Sequence, residues 1–114
     1  MFKYLYNIKQ ESMLKYDLWM DDTAIINFLM FEFKKDNTYS LEIEGKRYFK
    51  VSYKKILDEL CRIRFGLEML KKRFKHYKDI KLIERPDLSL GLNTSYMRFN
   101  EEIIKELFEE EKLN

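Results

Sequence analysis

Between Thr23 and Lys35 the chain carries Ile25, Ile26, Phe28, Leu29, Met30, Phe31 and Phe33, which together wrap most of a helix's circumference. A helix that is apolar on nearly every side has to be enclosed by protein. The other elements must therefore pack around this one, which reads as the buried central helix. Asp21 or Asp22 stands where a carboxylate can accept hydrogen bonds from the free N–H groups at its start, and Asp36-Asn37 ends it. The 114 residues suit a single core, because dividing them would leave pieces too small to bury one. We read residues 1–114 as one domain, with 1–20 as an arm and short helix and 100–114 as a C-terminal helix.

Only 3 Gly and 1 Pro punctuate the chain, so long loops are few, and 46% hydrophobic residues exclude disorder through want of a core. The single cysteine, Cys61, cannot close an internal disulfide, which suits a reducing cytoplasm. The opening MFKYLYNIKQESM lacks the apolar core and cleavage site of a secretory signal. The longest apolar stretch, Ala24 to Phe31, is interrupted by Asn27 and is too short to span a bilayer. The expectation is a soluble cytoplasmic protein with no membrane partner.

Around the central helix the pattern alternates between periods of two and of three to four. Phe2, Tyr4 and Tyr6 suggest a short extended arm, and QESMLKYDLWMDD a helical turn or short helix ending near Trp19. Tyr39 to Ile43 and Tyr48 to Val51 alternate about Glu44-Gly45, as the strands of a hairpin do. Ser52 occupies an N-cap position before a short helix, Tyr53 to Leu60, with Ile56, Leu57 and Leu60 inward. From about Gly66 to Tyr77, Leu67, Leu70, Phe74 and Tyr77 form one helical stripe, while Glu68, Lys71, Lys72, Arg73, Lys75, His76 and Lys78 cover the rest. Lys81 to Arg85 reads as a strand, Pro86 to Thr94 as a loop and Ser95 to Phe99 as a returning strand. Asn100 then caps an acidic last helix.

Charge is segregated along the chain. From Lys46 to Arg85 there are 14 Lys/Arg against 5 Asp/Glu, leaving 8 against 15 elsewhere, so a net charge of only +2 conceals a polar field. Catalysis finds little footing. The lone His76 lies among Lys72, Lys75 and Lys78 and reads as a surface or DNA-facing residue rather than a general base. Cys61 has cationic neighbours that could activate a thiolate, but a buried structural role explains it with less. There is no Gly-rich phosphate loop or nucleophile elbow, and one Cys with one His cannot make a typical structural zinc site. No enzyme activity and no cofactor are expected.

The order of short helix, turn, basic helix and β-hairpin resembles a winged helix-turn-helix DNA-binding domain over roughly Thr23 to Asn100. Ile56, Leu60, Leu67 and Leu70 match apolar positions that lock the two helices of that motif, and Cys61 stands where its turn commonly has Gly. The run FKVSYKKILDEL, then a basic helix, then KLIER looks similar to the DNA-binding domains of phage and plasmid replication initiators. The fold class implied is α+β, a winged helix-turn-helix with an additional N-terminal hairpin and a C-terminal acidic helix. A second architecture stays open. Tyr53, Ile56, Leu60, Ile63, Leu67, Leu70, Phe74 and Tyr77 also follow heptad spacing, as one long interaction helix would.

The resemblance implies that the second helix enters the major groove, where Arg and Lys can read guanine. Arg62 and Arg64 lead the candidates for base or phosphate contact, with Lys71, Lys72, Lys75, His76 and Lys78 along the helix. Lys54 and Lys55 can grip a phosphate at the start of the preceding helix, and Arg85 and Arg98 flank the wing. Six phosphate contacts would give a log–log salt slope of about −5. The wing tip is apolar, with Leu88, Leu90 and Leu92 either folding back on the domain or meeting another subunit. Tyr48, Phe49 and Tyr53 lie among cations and could stack unpaired bases, although strand aromatics are more often core. The expected function is duplex DNA binding in phage- or plasmid-type replication initiation. A transcriptional regulator or a protein-interaction module is the alternative, and a homodimer or a replication protein is a further candidate partner.

Overall fold

A computed structural model describes residues 8–35, 39–60, 63–86 and 96–108. Within them the chain is α+β, with five helices and one four-stranded antiparallel sheet. The expected N-terminal arm, the helix end expected at Asp36-Asn37, Cys61-Arg62, the expected wing tip with Leu88, Leu90 and Leu92, and the final acidic run fall outside the described residues.

Helix α1 (Gln10–Lys15) leads into α2 (Met20–Phe33), which begins three residues earlier than the sequence pattern suggests. The reason is Asp22. It sits inside the first turn, not ahead of it, and its carboxylate accepts a hydrogen bond from the Trp19 N–H at 2.7 Å. Ile25, Ile26, Phe28 and Leu29 are buried, as expected of a central helix, whereas Phe31 is 54% exposed.

The hairpin forms where alternation places it. Strands β1 (Ser40–Ile43) and β2 (Lys46–Lys50) pair from Ser40↔Phe49 to Ile43↔Lys46. Glu44 and Gly45 both take positive φ, 52° and 79°, the left-handed pair that a two-residue hairpin turn needs to match strand twist. Ser52 then caps α3 (Tyr53–Glu59), its hydroxyl accepting from the Lys55 N–H at 3.2 Å.

Helix α4 (Leu67–Asp79) is separate from α3. Leu60 leaves helical geometry at ψ 62° and Gly66 is extended, so the heptad-spaced residues do not form one long helix. The stripe itself needs one correction. Leu70, Phe74 and Tyr77 are fully buried, but Leu67 is 44% exposed because it opens the helix. Beyond α4 the chain reverses at Lys81 (φ 65°), whose N–H bonds the Lys78 carbonyl while the Leu82 N–H bonds that of Tyr77. This is a Schellman closure with lysine in the place usually held by glycine. It shortens the expected strand to β3 (Ile83–Glu84).

Strand β4 (Tyr96–Phe99) pairs with both β3 and β2, giving the order β1-β2-β4-β3. Met97 faces Phe49 and Phe99 faces Ile83, so these four side chains share one side of the sheet. Asn100 caps α5 (Glu101–Phe108), its side-chain oxygen accepting from the Glu102 N–H at 3.0 Å. Helix α5 docks on α1: the Lys9 N–H bonds the Leu107 carbonyl, and Glu106 takes hydrogen bonds from Lys15 and Tyr16. Those two bonds hold the Glu106 carboxyl below its ordinary range and raise both the Lys15 ammonium and the Tyr16 phenol.

Candidate nucleic-acid interface

The surface of α4 follows from where its buried face points. At about 100° per residue, Leu70, Arg73, Phe74 and Tyr77 share one face. Lys72 and Lys75 lie opposite, on either side of the line through Glu68 and Asp79, while Lys71 and Lys78 occupy the flank nearer Phe74. All four lysines are exposed. The helix therefore presents a mainly cationic outer surface, with one carboxylate near each end.

Arg73 is the exception to the expected solvent-facing set. It is 6% exposed, and its guanidinium makes two hydrogen bonds to the fully buried Asp22 carboxylate. The same guanidinium donates to the Asp17 carbonyl at 2.9 Å and lies 3.9 Å from the centre of the Trp19 ring. Tyr77 donates its phenol proton to Asp22 Oδ1, the oxygen that also accepts from the Arg73 Nε–H. Burial, reinforced by the Asp22 charge, pushes the Tyr77 phenol well above its ordinary value. For Arg73, burial works against the charge, but hydrogen bonding and attraction to Asp22 together more than offset it and raise its pKa.

This network fixes α4 to the start of α2 and so fixes the direction in which its lysines project. Sequence reasoning missed it, although a signal existed. Arg73 is the one arginine among the helix's cations and falls at the edge of the apolar stripe. Arginine's planar fork suits a buried bidentate pair better than lysine does.

The other candidates divide. Lys54, in the first turn of α3, and Arg64, in the connection from α3 to α4, are both exposed, whereas Arg62 is not described. His76 is half-buried, and its Nε2–H donates to the Tyr16 carbonyl at 2.8 Å, which ties it to the α1 side of the domain. Lys55 pairs with Glu32 at 3.0 Å. Arg85 donates to the Tyr53 hydroxyl at 3.1 Å, and Arg98 pairs with Glu84 across β3 and β4. The structure thus gathers Lys71, Lys72, Lys75 and Lys78 on one helix and places Arg98 with a different set of residues.

Among the described residues, no group of three potential metal ligands comes together, and no helix is long and apolar enough to cross a membrane. Comparison with protein-family models, curated proteins and solved structures finds no match to this chain.

Proposed function

We propose that this domain binds duplex DNA with α4 as its reading helix, in the manner of a winged helix-turn-helix protein. The observation that carries the reading is the pairing of an exposed lysine surface on α4 with a buried anchor, Asp22–Arg73–Tyr77, on its other side. An anchored cationic helix can enter the major groove in one orientation, which register on DNA requires. Further support comes from element order: α3 and α4 pack together and are followed by β3 and β4, with β2 hydrogen-bonded to β4. On this reading the exposed Arg64 and Lys54 are further candidates for backbone phosphates.

Within that class we favour origin recognition in a phage- or plasmid-type replicon, on the likeness of FKVSYKKILDEL and KLIER to such initiators. The test is fluorescence anisotropy with labelled duplexes from the protein's own genomic neighbourhood, titrated with salt. Replacing Lys71, Lys72 and Lys75 by alanine should weaken binding and flatten the log–log slope by about 3 if each contacts a phosphate. An unchanged slope, or no binding by the folded wild type at low salt, refutes the assignment to α4. Preference for an origin duplex over a promoter duplex supports the replication role, and the reverse preference supports a regulator.

A further inference from the structure

A second cationic and aromatic site lies away from α4. The end of α2, the hairpin turn, β4 and the start of α5 enclose an open cavity of about 340 Å³ to which no described residue of α4 contributes. Its rim carries Lys34, Lys46, Arg47 and Arg98 against a single lining carboxylate, Glu101. Glu84, outside the lining, pairs with Arg98 and approaches Lys46 at 3.9 Å, which leaves the rim with an excess of positive charge. The apolar wall is aromatic. Phe33 and Phe49 stack with centroids 4.6 Å apart and ring planes 10° apart, and Phe99 closes on Phe33 at 5.5 Å. All three rings are half-buried, so each keeps surface open to the cavity it lines.

A neighbouring cavity of similar size shares Phe33 and continues past Tyr39 and Lys50. There Lys35 and Lys55 both pair with Glu32, and Lys50 adds a third cation, so this cavity too carries an excess of positive charge. Both cavities are therefore cationic, and Phe33 lines the two of them, with the stacked aromatic pair at the first.

Cations around open aromatic surface match a ligand with alternating phosphates and flat rings. At this volume, the lower end of ordinary ligand pockets, the first cavity has room for little more than one nucleotide unit. The second cavity gives the chain somewhere to continue. We propose that the Phe33–Phe49 cavity holds unpaired nucleotides of a single-stranded nucleic acid, with Lys34 and Arg47 on the phosphates and the phenyl rings against the bases. This site is independent of duplex binding by α4. It would give the domain contacts to both paired and unpaired strands.

The test uses the full chain and a labelled oligo(dT) single strand, with a labelled duplex in parallel. Wild type should bind oligo(dT) with a salt slope of about −1.4 if Lys34 and Arg47 each engage one phosphate. Lys34→Glu with Arg47→Glu, both at exposed positions, should weaken oligo(dT) binding about tenfold or more and leave duplex binding within about twofold. Phe49→Leu keeps apolar volume but removes the ring, and should also weaken the single strand selectively. Lys72→Ala with Lys75→Ala should do the converse, so failure at one site is distinguishable from failure at the other. The proposal is overturned if wild type does not bind oligo(dT) at low salt, or if the cavity variants bind it as wild type does. Equal competition by thymidine monophosphate would show a free-nucleotide pocket, and equal competition by an oligoglutamate of matched charge would show a charge-only surface. Either result overturns the single-strand assignment.

Discussion

Replacing Arg73 by alanine should be among the most damaging single changes in this domain. Asp22 has no solvent exposure, and Arg73 supplies its only charged partner among the described contacts. Truncation would leave a buried carboxylate with the Tyr77 hydroxyl and the Trp19 N–H, neither of which carries a compensating charge. Breaking a buried pair in this way costs about 3–5 kcal/mol. Against a total stability of about 5–15 kcal/mol, that is a large share. At roughly 4 °C per kcal/mol for a domain of this size, the melting temperature should fall by about 12–20 °C. Urea denaturation at neutral pH measures the loss directly, provided the slope is unchanged so that the midpoint reports stability.

A second variant separates the pair's worth from the penalty of breaking it. Asp22→Leu, Arg73→Met and Tyr77→Phe together remove the three polar side chains of the cluster and leave no charge stranded, although the Trp19 N–H and the Asp17 carbonyl lose their partners. Apolar replacement of a buried ion pair is often neutral or favourable, and the lost acceptor for the Trp19 N–H costs about 1 kcal/mol. The triple variant should therefore be more stable than Arg73→Ala alone. Loss of less than about 1 kcal/mol in Arg73→Ala, or a triple variant less stable than the single one, would refute the reasoning that Asp22 is a charge held by Arg73.

Three further outcomes follow from the described geometry. Because the folded state holds the Tyr77 proton more tightly than the unfolded chain, whose phenol titrates near 10.0, the Tyr77 contribution is complete below that pH and is lost as pH rises toward the folded value. Tyr77→Phe should flatten the alkaline fall in stability, leaving a residual slope from Tyr16, which is raised in the same direction. Gly45→Ala meets no atom within 4 Å, so its effect is confined to a backbone at φ 79° and should cost about 1–2 kcal/mol by urea denaturation. Lys81→Gly should act oppositely, raising the urea midpoint by about 1 kcal/mol of stability, because it relieves a lysine held at φ 65°.

What the sequence made legible was local. Glu44-Gly45 between alternating runs specified the hairpin, Ser52 specified the start of α3, and the spacing of Leu70, Phe74 and Tyr77 specified the inner face of α4. Each signal operates within a few residues, where backbone geometry alone decides. Asp22 and Arg73 are 51 residues apart, and neither neighbourhood names the other as its partner. Asp22 reads as a helix cap, and from the third position of α2 it does bond back to the Trp19 N–H at the helix start; that local explanation leaves no sign of its second role. Lys81 was illegible for a related reason: a Schellman turn is recognised in sequence by glycine, and here tertiary packing of Tyr77 and Leu82 holds lysine in the same conformation.

The same separation of local from tertiary information governs how the basic run can act. Lys46 to Arg85 reads as one block of positive charge, but folding distributes its members among unlike surroundings. Arg73 is committed to a buried carboxylate and Lys55 to Glu32, while Arg85 is drawn to Tyr53. Lys46 and Arg47 line the Phe33–Phe49 cavity, where Arg98 joins them from outside the block, with Glu84 offsetting part of their charge. The α4 lysines are left as a narrower surface, and its strength depends on which positions are already paired more than on the total count. A charge paired inside the protein contributes little attraction at a distance, so two smaller positive surfaces replace the single broad one that the sequence suggests.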